Sequence, residues 1–404
     1  MVEIIDKKDC CGCTACVSIC VKKAISMVED DEGFLYPQVD KSLCNDCGAC
    51  DKVCPVRNPI KEVPFKQRAV LFQHNDSIIL NESTSGGLFT AIASWVIQHE
   101  GVVFGAAYDR NLNVQHVAVN SLNELSKFRN SKYAQSEIGD AFLQVRWLLK
   151  EGKWVLFSGT PCQLEGLHKF LHNHDYDKLI KVNVVCHSCP SPKVFRKYIE
   201  AVTEKKGRLA SNVKFRDKVY GYKYSQLTFY DQDGNVWYKE GIDTDIMLRA
   251  FFNNLSPRPS CFACVSKKRY AVTDFTIWDC FDVAKFSKLL DNDKGVTRAL
   301  MHTPKAWTIW EEIKDDGISV EIDVDDAVSG VNELCNSVKM NPDRAAFFVD
   351  LNSMPATECF QKWFPVTIRH RVEKRIRLWS NRLGVYMVAK RLFWLLHGKG
   401  DVKR

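Results

Sequence analysis

The chain has 404 residues, of which 46% are hydrophobic, enough to bury two or three domain cores. No run of eighteen apolar residues occurs and Met1–Asp9 carries no apolar signal core, so neither a transmembrane helix nor general secretory export is expected and the cytoplasm is the expected location. The formal charge of +7 is local: from Val366 onward eleven Lys and Arg stand against Glu373 and Asp401, a balance of +9 that leaves −2 for the rest.

Nine of the seventeen cysteines lie in the first 54 residues. They form two copies of C-x2-C-x2-C-x3-C, Cys10-Cys13-Cys16-Cys20 and Cys44-Cys47-Cys50-Cys54, the run with which bacterial-type ferredoxins hold 4Fe–4S cubes. Three thiolates two residues apart wrap three corners of one cube, and the fourth crosses to the other. The expected ligand sets are therefore Cys10, Cys13, Cys16 and Cys54 for one cluster and Cys44, Cys47, Cys50 and Cys20 for the second. Two matched registers argue against a pair of zinc sites. Val21 stands where such runs usually have proline, which removes no ligand, and Cys11 is read as a non-ligand. Cysteines spaced for metal in a chain without a signal suggest a reducing compartment rather than a disulfide framework. Residues 1–60 are an electron-transfer module.

A short hairpin is expected between Cys20 and Cys44, with the acidic run Glu29 to Glu32 near its turn. Pro55, Pro59 and Pro64 mark a linker, and from about Arg68 strands alternate with helices. Residues 69–73, 101–108 and 114–119 read as strands, 88–99 as a helix, and 136–150 as a helix with Ile138, Phe142, Val145 and Leu149 buried. Strand 154–157, helix 163–171 and strand 179–185 form a βαβ unit, with Thr160 at the helix N-cap and Pro161 in its first turn. Its strands should run parallel, bringing Cys162 and Cys186 to the sheet edge where open α/β folds bind ligands. Further on, a hairpin turns at Asp233-Gly234, followed by a helix over 245–253, a strand over 273–278, a segment over 295–302, a helix from Pro304 and a strand over 318–324. The fold class is a small ferredoxin unit followed by a mixed α/β body (61–365, in parts 66–190 and 191–365) and a basic amphipathic tail (366–404).

Five body cysteines sit in loops: Cys162, Cys186, Cys189, Cys261 and Cys264. Their spacing leaves two readings open, a zinc site at Cys186-x2-Cys189 with Cys261-x2-Cys264, or a third 4Fe–4S cluster. Ser83-Thr84-Ser85-Gly86-Gly87 before a helix can aim N–H groups at a phosphate or simply cap the helix. Ser158-Gly159-Thr160 has the same two readings. Lys132 can pair with a phosphate or be solvated.

Gly86-Gly87-Leu88-Phe89, Arg129-x-Ser131-Lys132-Tyr133, Phe157-Ser-Gly-Thr-Pro-Cys162-Gln163, Val185-Cys186-His187, Arg258-Pro-Ser-Cys261-x2-Cys264 and Thr273-Asp274-x-Thr276-Ile277 occur in that order. Together they resemble the family of coenzyme F420 hydrogenase/dehydrogenase beta subunits, here fused to a double-cluster ferredoxin. The resemblance implies a flavoprotein that binds FAD through Ser85, Gly86, Gly87, Ser131, Lys132 and Tyr133, with Ser158, Gly159 and Thr160 as further candidates. It also implies a third 4Fe–4S cluster on Cys162, Cys186, Cys261 and Cys264. Trp278 and Asp282 depart from the family pattern, which has glycines there, and put one wall of the flavin pocket in question.

The expected function is an iron–sulfur flavoprotein oxidoreductase joining hydride chemistry to single-electron transfer. Its expected partner is a redox protein or a small-molecule hydride donor or acceptor, and no nucleic acid. Relatives of the fused type accompany surface-polysaccharide synthesis. The alternative is a non-catalytic electron-transfer adaptor with a degenerate flavin site. A helix over 372–396, apolar on one side and basic on the other, suits peripheral contact with an anionic membrane.

Overall fold

The computed structural model describes residues 1–386 and 388. Each cysteine motif runs into a short helix, Ala15–Ile19 and Ala49–Lys52, with an antiparallel hairpin between them, β1 (Ile25–Glu29) and β2 (Leu35–Val39). Both helices begin one residue before the third cysteine of their motif. The residue ahead of each, Thr14 at φ 62° and Gly48 at φ 72°, is left-handed. Glycine takes that turn freely, threonine only at a cost.

The body contributes β3 (Arg68–His74), β4 (Val102–Tyr108), β5 (Val114–Val119), β6 (Val155–Gly159), β7 (Leu179–Val184), β8 (Asn212–Asp217), β9 (Gln226–Tyr230), β10 (Val236–Glu240), β11 (Phe275–Asp279), β12 (Thr297–Met301) and β13 (Gly317–Ile322). Eight of them form one mixed sheet in the order β13-β3-β12-β11-β7-β6-β4-β5, and β10-β9-β8 form a separate antiparallel one. The four strands β4, β6, β7 and β11 run parallel. The βαβ unit is present as read: β6 and β7 pair in parallel with Val155 opposite Leu179, and Thr160 with Gln163 makes a capping box on the helix Pro161–Phe170. Because β11, β12 and β13 complete the sheet begun by β3, strands from both parts of the body share one core.

That core has two faces. On one, the helices Leu88–Gln98 and Pro304–Ile313 bury Ile92, Val96, Ile309 and Trp310 against Phe72, Val103, Leu156 and Val182. On the other, the helices Ala141–Lys150 and Pro161–Phe170 bury Phe142, Val145, Leu164 and Phe170 against Phe104, Phe157 and Leu179. Cys11, Cys13, Ala15 and Val53 of the N-terminal unit belong to this second core. The ferredoxin-like unit is thus packed onto the sheet, not strung from it. Phe34 of its hairpin turn enters a third core, between the helix Pro192–Lys206, the small sheet and the helices Arg344–Ser353 and Ala356–Trp363.

Two expectations are corrected. The helix expected over 136–150 starts at Ala141, because Gly139 takes a left-handed φ of 56° and ends any helix there; Ile138 is buried all the same. The tail helix runs over Ile368–Arg382, earlier than expected. Thr367 caps its start, and Gly384, left-handed at φ 69°, lies just past its end. The expected continuation to Leu396 falls at residue 387 and residues 389–404, outside the described residues. Among the described residues no helix is long and apolar enough to cross a membrane.

Candidate metal centre

The first motif encloses a cavity of about 340 Å³ lined by Cys10, Cys11, Cys13, Cys16 and Cys54, with Val2, Ile4, Met27 and Pro37 as an apolar wall. Cys54, the last cysteine of the second motif, is present and Cys20 is not, as the crossover pattern requires. Burial, then the nearby Cys10 and Cys54, pushes the Cys16 thiol up to about 12. Thiols so crowded stay protonated until a cation draws them together as thiolates. Thr14 also lines the cavity, and its hydroxyl is buried with no hydrogen-bond partner among the described residues. A donor set of thiols, an apolar wall and an orphaned hydroxyl fit a 4Fe–4S cube.

The second motif lies outward. Cys50 is buried with Val2 and Ile25, and Cys16 and Cys20 pack against that group. The Cys50 sulfur accepts the Val2 amide at 3.2 Å, and that of Cys44 accepts the Asp46 amide at 3.4 Å. Cys47 is exposed. Cys20 is therefore beside Cys50, opposite its own motif.

Behind the first cavity lies the C-terminal edge of the parallel strands. Cys162 follows β6 and Cys186 follows β7, so both emerge at this edge. Burial pushes the Cys261 thiol up to about 12; the Cys189 amide, which donates to it, opposes the rise, and Cys162 and Cys264 add to it. Cys186 and Cys189 both stand close to Cys261 and Cys162. The fold thus gathers all five loop cysteines, including Cys189. Among the described residues no three His, Cys, Asp or Glu side chains converge as ligands of a single ion. A zinc with bonds of about 2.3 Å would need that convergence, whereas a cube spreads its thiolates over four corners.

The two sets touch. The buried Cys11 thiol hydrogen-bonds both Cys13 and Cys162. Gly166, one turn beyond Cys162 on the same helix, lies against Cys13: a Cβ there would be 2.7 Å from Cys13 Cβ and 2.8 Å from its sulfur. No spacing rule singled out Gly166. Arg258 and Gln135 also went unread. Arg258 Nε donates to Cys10 O at 2.7 Å, and Gln135 Nε2 to Cys11 O at 3.0 Å.

The flavin candidates are committed elsewhere. Ser85 and the Gly86 amide both bond the Thr297 hydroxyl at 2.9 Å, and a Cβ on Gly86 would lie 2.0 Å from Phe72 O. Gly87, left-handed at φ 87°, starts the helix Leu88–Gln98. Ser131 bonds Thr84 at 3.0 Å, and Lys132 donates to Lys127 O at 2.8 Å and Arg129 O at 3.0 Å. The Tyr133 ring stacks on Phe251 at 4.6 Å. Ser158 O accepts from His116, a Cβ on Gly159 would crowd Gln163 at 2.9 Å, and Thr160 is spent as a cap. Where the family pattern has glycines, Arg298 at 2% exposure bonds Asp282 and Cys280 and lies 5.9 Å from the Trp278 ring. A cleft of about 1080 Å³ opens at the opposite edge of the sheet, lined by Phe65, His168, Lys181, Tyr270, His302 and Lys305 among others, and none of the nine candidates reaches it. As folded, these residues do not fit a flavin without displacement.

Residues 152–327 match the family described as the C terminus of the coenzyme F420 hydrogenase/dehydrogenase beta subunit, and residues 9–58 match the 4Fe–4S dicluster domain. Among curated proteins, an F420H2 dehydrogenase subunit (Methanosarcina mazei) is 21% identical over 195 residues, covering 46% of this chain and 55% of that one. The coenzyme F420-dependent sulfite reductase of Methanocaldococcus jannaschii is 27% identical over 171 residues, 41% of this chain and 26% of that one. The chain therefore spans about half of the first relative and about a quarter of the second. An uncharacterised ferredoxin-like protein of Haemophilus influenzae is 33% identical over 92 residues and matched over its whole length, against 19% of this chain. A chain of the F420-reducing NiFe hydrogenase complex of Methanosarcina barkeri, solved as a xenon derivative, aligns with a TM-score of 0.43 at 16% identity, covering 75% of this chain and 94% of that one. The chain belongs to the family of coenzyme F420 hydrogenase/dehydrogenase beta subunits, with a 4Fe–4S dicluster domain ahead of the family domain.

Proposed function

We propose that the chain is an iron–sulfur oxidoreductase component that passes single electrons between a redox partner and its α/β body. Cys10, Cys13, Cys16 and Cys54 would hold one 4Fe–4S cluster, Cys44, Cys47, Cys50 and Cys20 a second, and Cys162, Cys186, Cys261 and Cys264 a third. When bound, such clusters supply one-electron carriers in series. The chain's own contribution is to bury the first set in an apolar cavity, exclude water from it, and seat it against the third. The observation that carries this reading is the Cys11 thiol bonded to Cys13 on one side and Cys162 on the other. The proposed division is 1–60 for the dicluster unit, 61–365 for the body and 366–404 for the tail.

A two-electron partner, a flavin-linked hydride donor or acceptor, is supported by the curated relatives, two of which carry coenzyme F420 in their names. No residue here supports a place in surface-polysaccharide synthesis. The second reading, an electron-transfer adaptor without flavin, is favoured by the Arg298–Asp282 pair closing the wall beside Trp278.

Iron, sulfide, zinc and flavin content of full-length protein purified without air tests both. About twelve irons are expected, in three cubes of four. Cys54→Ser and Cys20→Ser should each damage the cluster opposite their own motif. Stoichiometric flavin on acid release would remove the adaptor reading, and a chain without iron would remove both.

A further inference from the structure

Arg258 is 1% exposed, and it belongs to two loops at once. Its backbone lies in the body's cysteine loop: its N–H donates to Cys189 O at 2.9 Å, and its own carbonyl accepts the Cys261 N–H at 2.9 Å. Its side chain lies in the first-motif loop. Nε donates to Cys10 O at 2.7 Å, Nη2 to Leu35 O at 2.9 Å and towards the Cys10 sulfur at 3.5 Å, and Nη1 to Gln135 Oε1 at 2.9 Å. Gln135 in turn donates to Cys11 O and takes the Pro190 carbonyl with its backbone N–H. The guanidinium also lies 4.2 Å from the Tyr36 ring centre and 5.2 Å from that of Phe34. Gly12 is where the loop passes closest: a Cβ there would stand 2.7 Å from Gln135 Nε2 and 2.9 Å from Arg258 Nη1.

None of these hydrogen-bond partners is a carboxylate. A cation so buried needs a nearby anion. The groups around it that can carry negative charge are Cys10, Tyr36, Cys11 and Cys189, three of them sulfurs. A planar fork of five N–H donors can bond three oxygens and still face a sulfur, and a lysine cannot.

We propose that Arg258 is a positioning residue that seats the first-motif loop on the body's cysteine loop and supplies a fixed positive charge beside Cys10, raising the reduction potential of the cluster held there. The inference rests on the reading of both cysteine sets as cluster ligands. A cluster becomes more negative on reduction, so a neighbouring cation favours the reduced form, and removing it lowers the midpoint potential.

The test uses the full chain, purified without air, as wild type, Arg258→Met, Arg258→Lys and Gln135→Leu. Iron content is measured first, then midpoint potentials by titration monitored with electron paramagnetic resonance, then amide exchange over residues 10–14. Arg258→Met should lower the potential of the Cys10-set cluster, leave that of the outer cluster unchanged, and speed exchange over 10–14. Arg258→Lys should restore most of the potential but not the exchange protection, because it keeps the charge and loses the fork. Gln135→Leu should speed exchange with the potential unchanged. Full iron with wild-type potentials and exchange in Arg258→Met overturns the proposal. If Arg258→Met cannot be isolated with iron, wild-type exchange in both Arg258→Lys and Gln135→Leu overturns it. A wild-type chain lacking iron in the body overturns the ligand reading, and this inference with it.

Discussion

Arg344 grips the Glu32 carboxylate with both ends of its guanidinium, Nη1 to Oε1 at 2.8 Å and Nη2 to Oε2 at 2.5 Å. Glu32 sits at the tip of the ferredoxin hairpin and Arg344 on the C-terminal helical layer, 312 residues away in sequence. The acidic run that the sequence places at a turn is thus a docking plug. Glu29 pairs with Arg196 and Asp31 O accepts from Lys193, while Ser191 donates to Glu32 O. Both partners of the Glu32–Arg344 pair are largely buried, at 13% and 8% side-chain exposure. Removing one member of such a pair costs about 3–5 kcal/mol. Glu32→Ala should fall at the lower end, because Arg344 keeps Pro257 O as an acceptor at 2.9 Å. Denaturant unfolding reads the loss, and faster amide exchange over 25–39 locates it. Wild-type stability in the variant would show that the hairpin is not held there.

Gly166 meets Cys13 closely enough that any side chain must move the first motif. Contacts of 2.7 and 2.8 Å to Cys13 Cβ and Sγ cannot be relieved by a rotamer change, since Cβ is fixed to the backbone. Gly166→Val should cost about 1–3 kcal/mol of overpacking and lower the iron content by about four atoms. Gly152, with open space around its Cβ position, is the control on a neighbouring loop, although its φ of 70° makes Gly152→Asn the milder choice. Full iron in Gly166→Val would mean that the first motif tolerates displacement from the helix.

The third ligand set is decided by two single substitutions. Cys162→Ala should lose the body's iron, and Cys189→Ala should keep it. Zinc surviving Cys162→Ala but not Cys189→Ala would instead establish the zinc reading. The structure itself does not choose by proximity, since Cys189 stands with the other four; its backbone, which donates to Cys261 Sγ at 3.3 Å, gives it a role without ligation.

How far the sequence could be read follows from which interactions are local. Alternating strands and the βαβ unit were legible because a period of two or of 3.6 is written within a dozen residues. The helix Pro192–Lys206 was also written in that code, with Ser191 as cap and Val194, Phe195, Tyr198, Ala201 and Val202 on one buried face, yet it went unread. β8 was fainter, since only Val213 and Phe215 alternate among polar residues. The helices Arg344–Ser353 and Ala356–Trp363 were not read either, and Phe347 and Phe360 are buried only through tertiary packing. The cysteine sets were legible because metal ligation imposes spacing. The residues that join them were not: Arg258 meets Cys10 and Gln135 meets Cys11 across 248 and 124 residues, and their partners there are backbone carbonyls, which every residue has.

The polar network between β7, β11 and β12 predicts an acid-sensitive fold. His302 is 4% exposed, its Nδ1 2.9 Å from Gln67 Nε2 and its Nε2 2.7 Å from the Thr276 hydroxyl. The amide N–H of Gln67 can only donate, so Nδ1 accepts and the ring is neutral with its proton on Nε2. Burial pushes its pKa down from 6.5 to about 3. The folded chain thus binds this proton less readily than the unfolded one, and its stabilising contribution, complete above pH 6.5, is lost as pH falls from there towards 3. By pH 5 the loss is about 2 kcal/mol. His116 and His168, both pushed down to about 4 with burial the main cause, add to the slope. Urea unfolding at pH 7 and pH 5 should show a smaller difference for His302→Gln than for wild type. Equal differences would assign the acid sensitivity elsewhere.

The tail helix is docked on one side and bare on the other. Lys374 pairs with Glu240, Asn381 donates to Tyr220 O at 2.8 Å, and Ser380 is buried. Opposite these, Val372, Ile376, Trp379 and Leu383 repeat at intervals of four, three and four, and are 46%, 57%, 66% and 69% exposed. Such spacing makes a single stripe along a helix. Arg369, Arg371, Arg375 and Arg382 lie on the same helix, within the +9 segment. An apolar stripe with tryptophan, set among arginines, matches the interface of an anionic bilayer, where the aromatic and aliphatic groups enter the acyl boundary and the cations meet headgroups. At about 1 kcal/mol for each basic residue near the surface, four would hold the chain there at low salt and release it as screening rises. Full-length protein should sediment with vesicles containing anionic lipid and not with neutral ones. Ile376→Ser combined with Trp379→Ser should weaken sedimentation while leaving the Lys374–Glu240 contact and the melting temperature unchanged. Removal of residues 366–404 should abolish it. Equal recovery in the supernatant with and without the tail would rule out the membrane and leave the stripe to a protein partner.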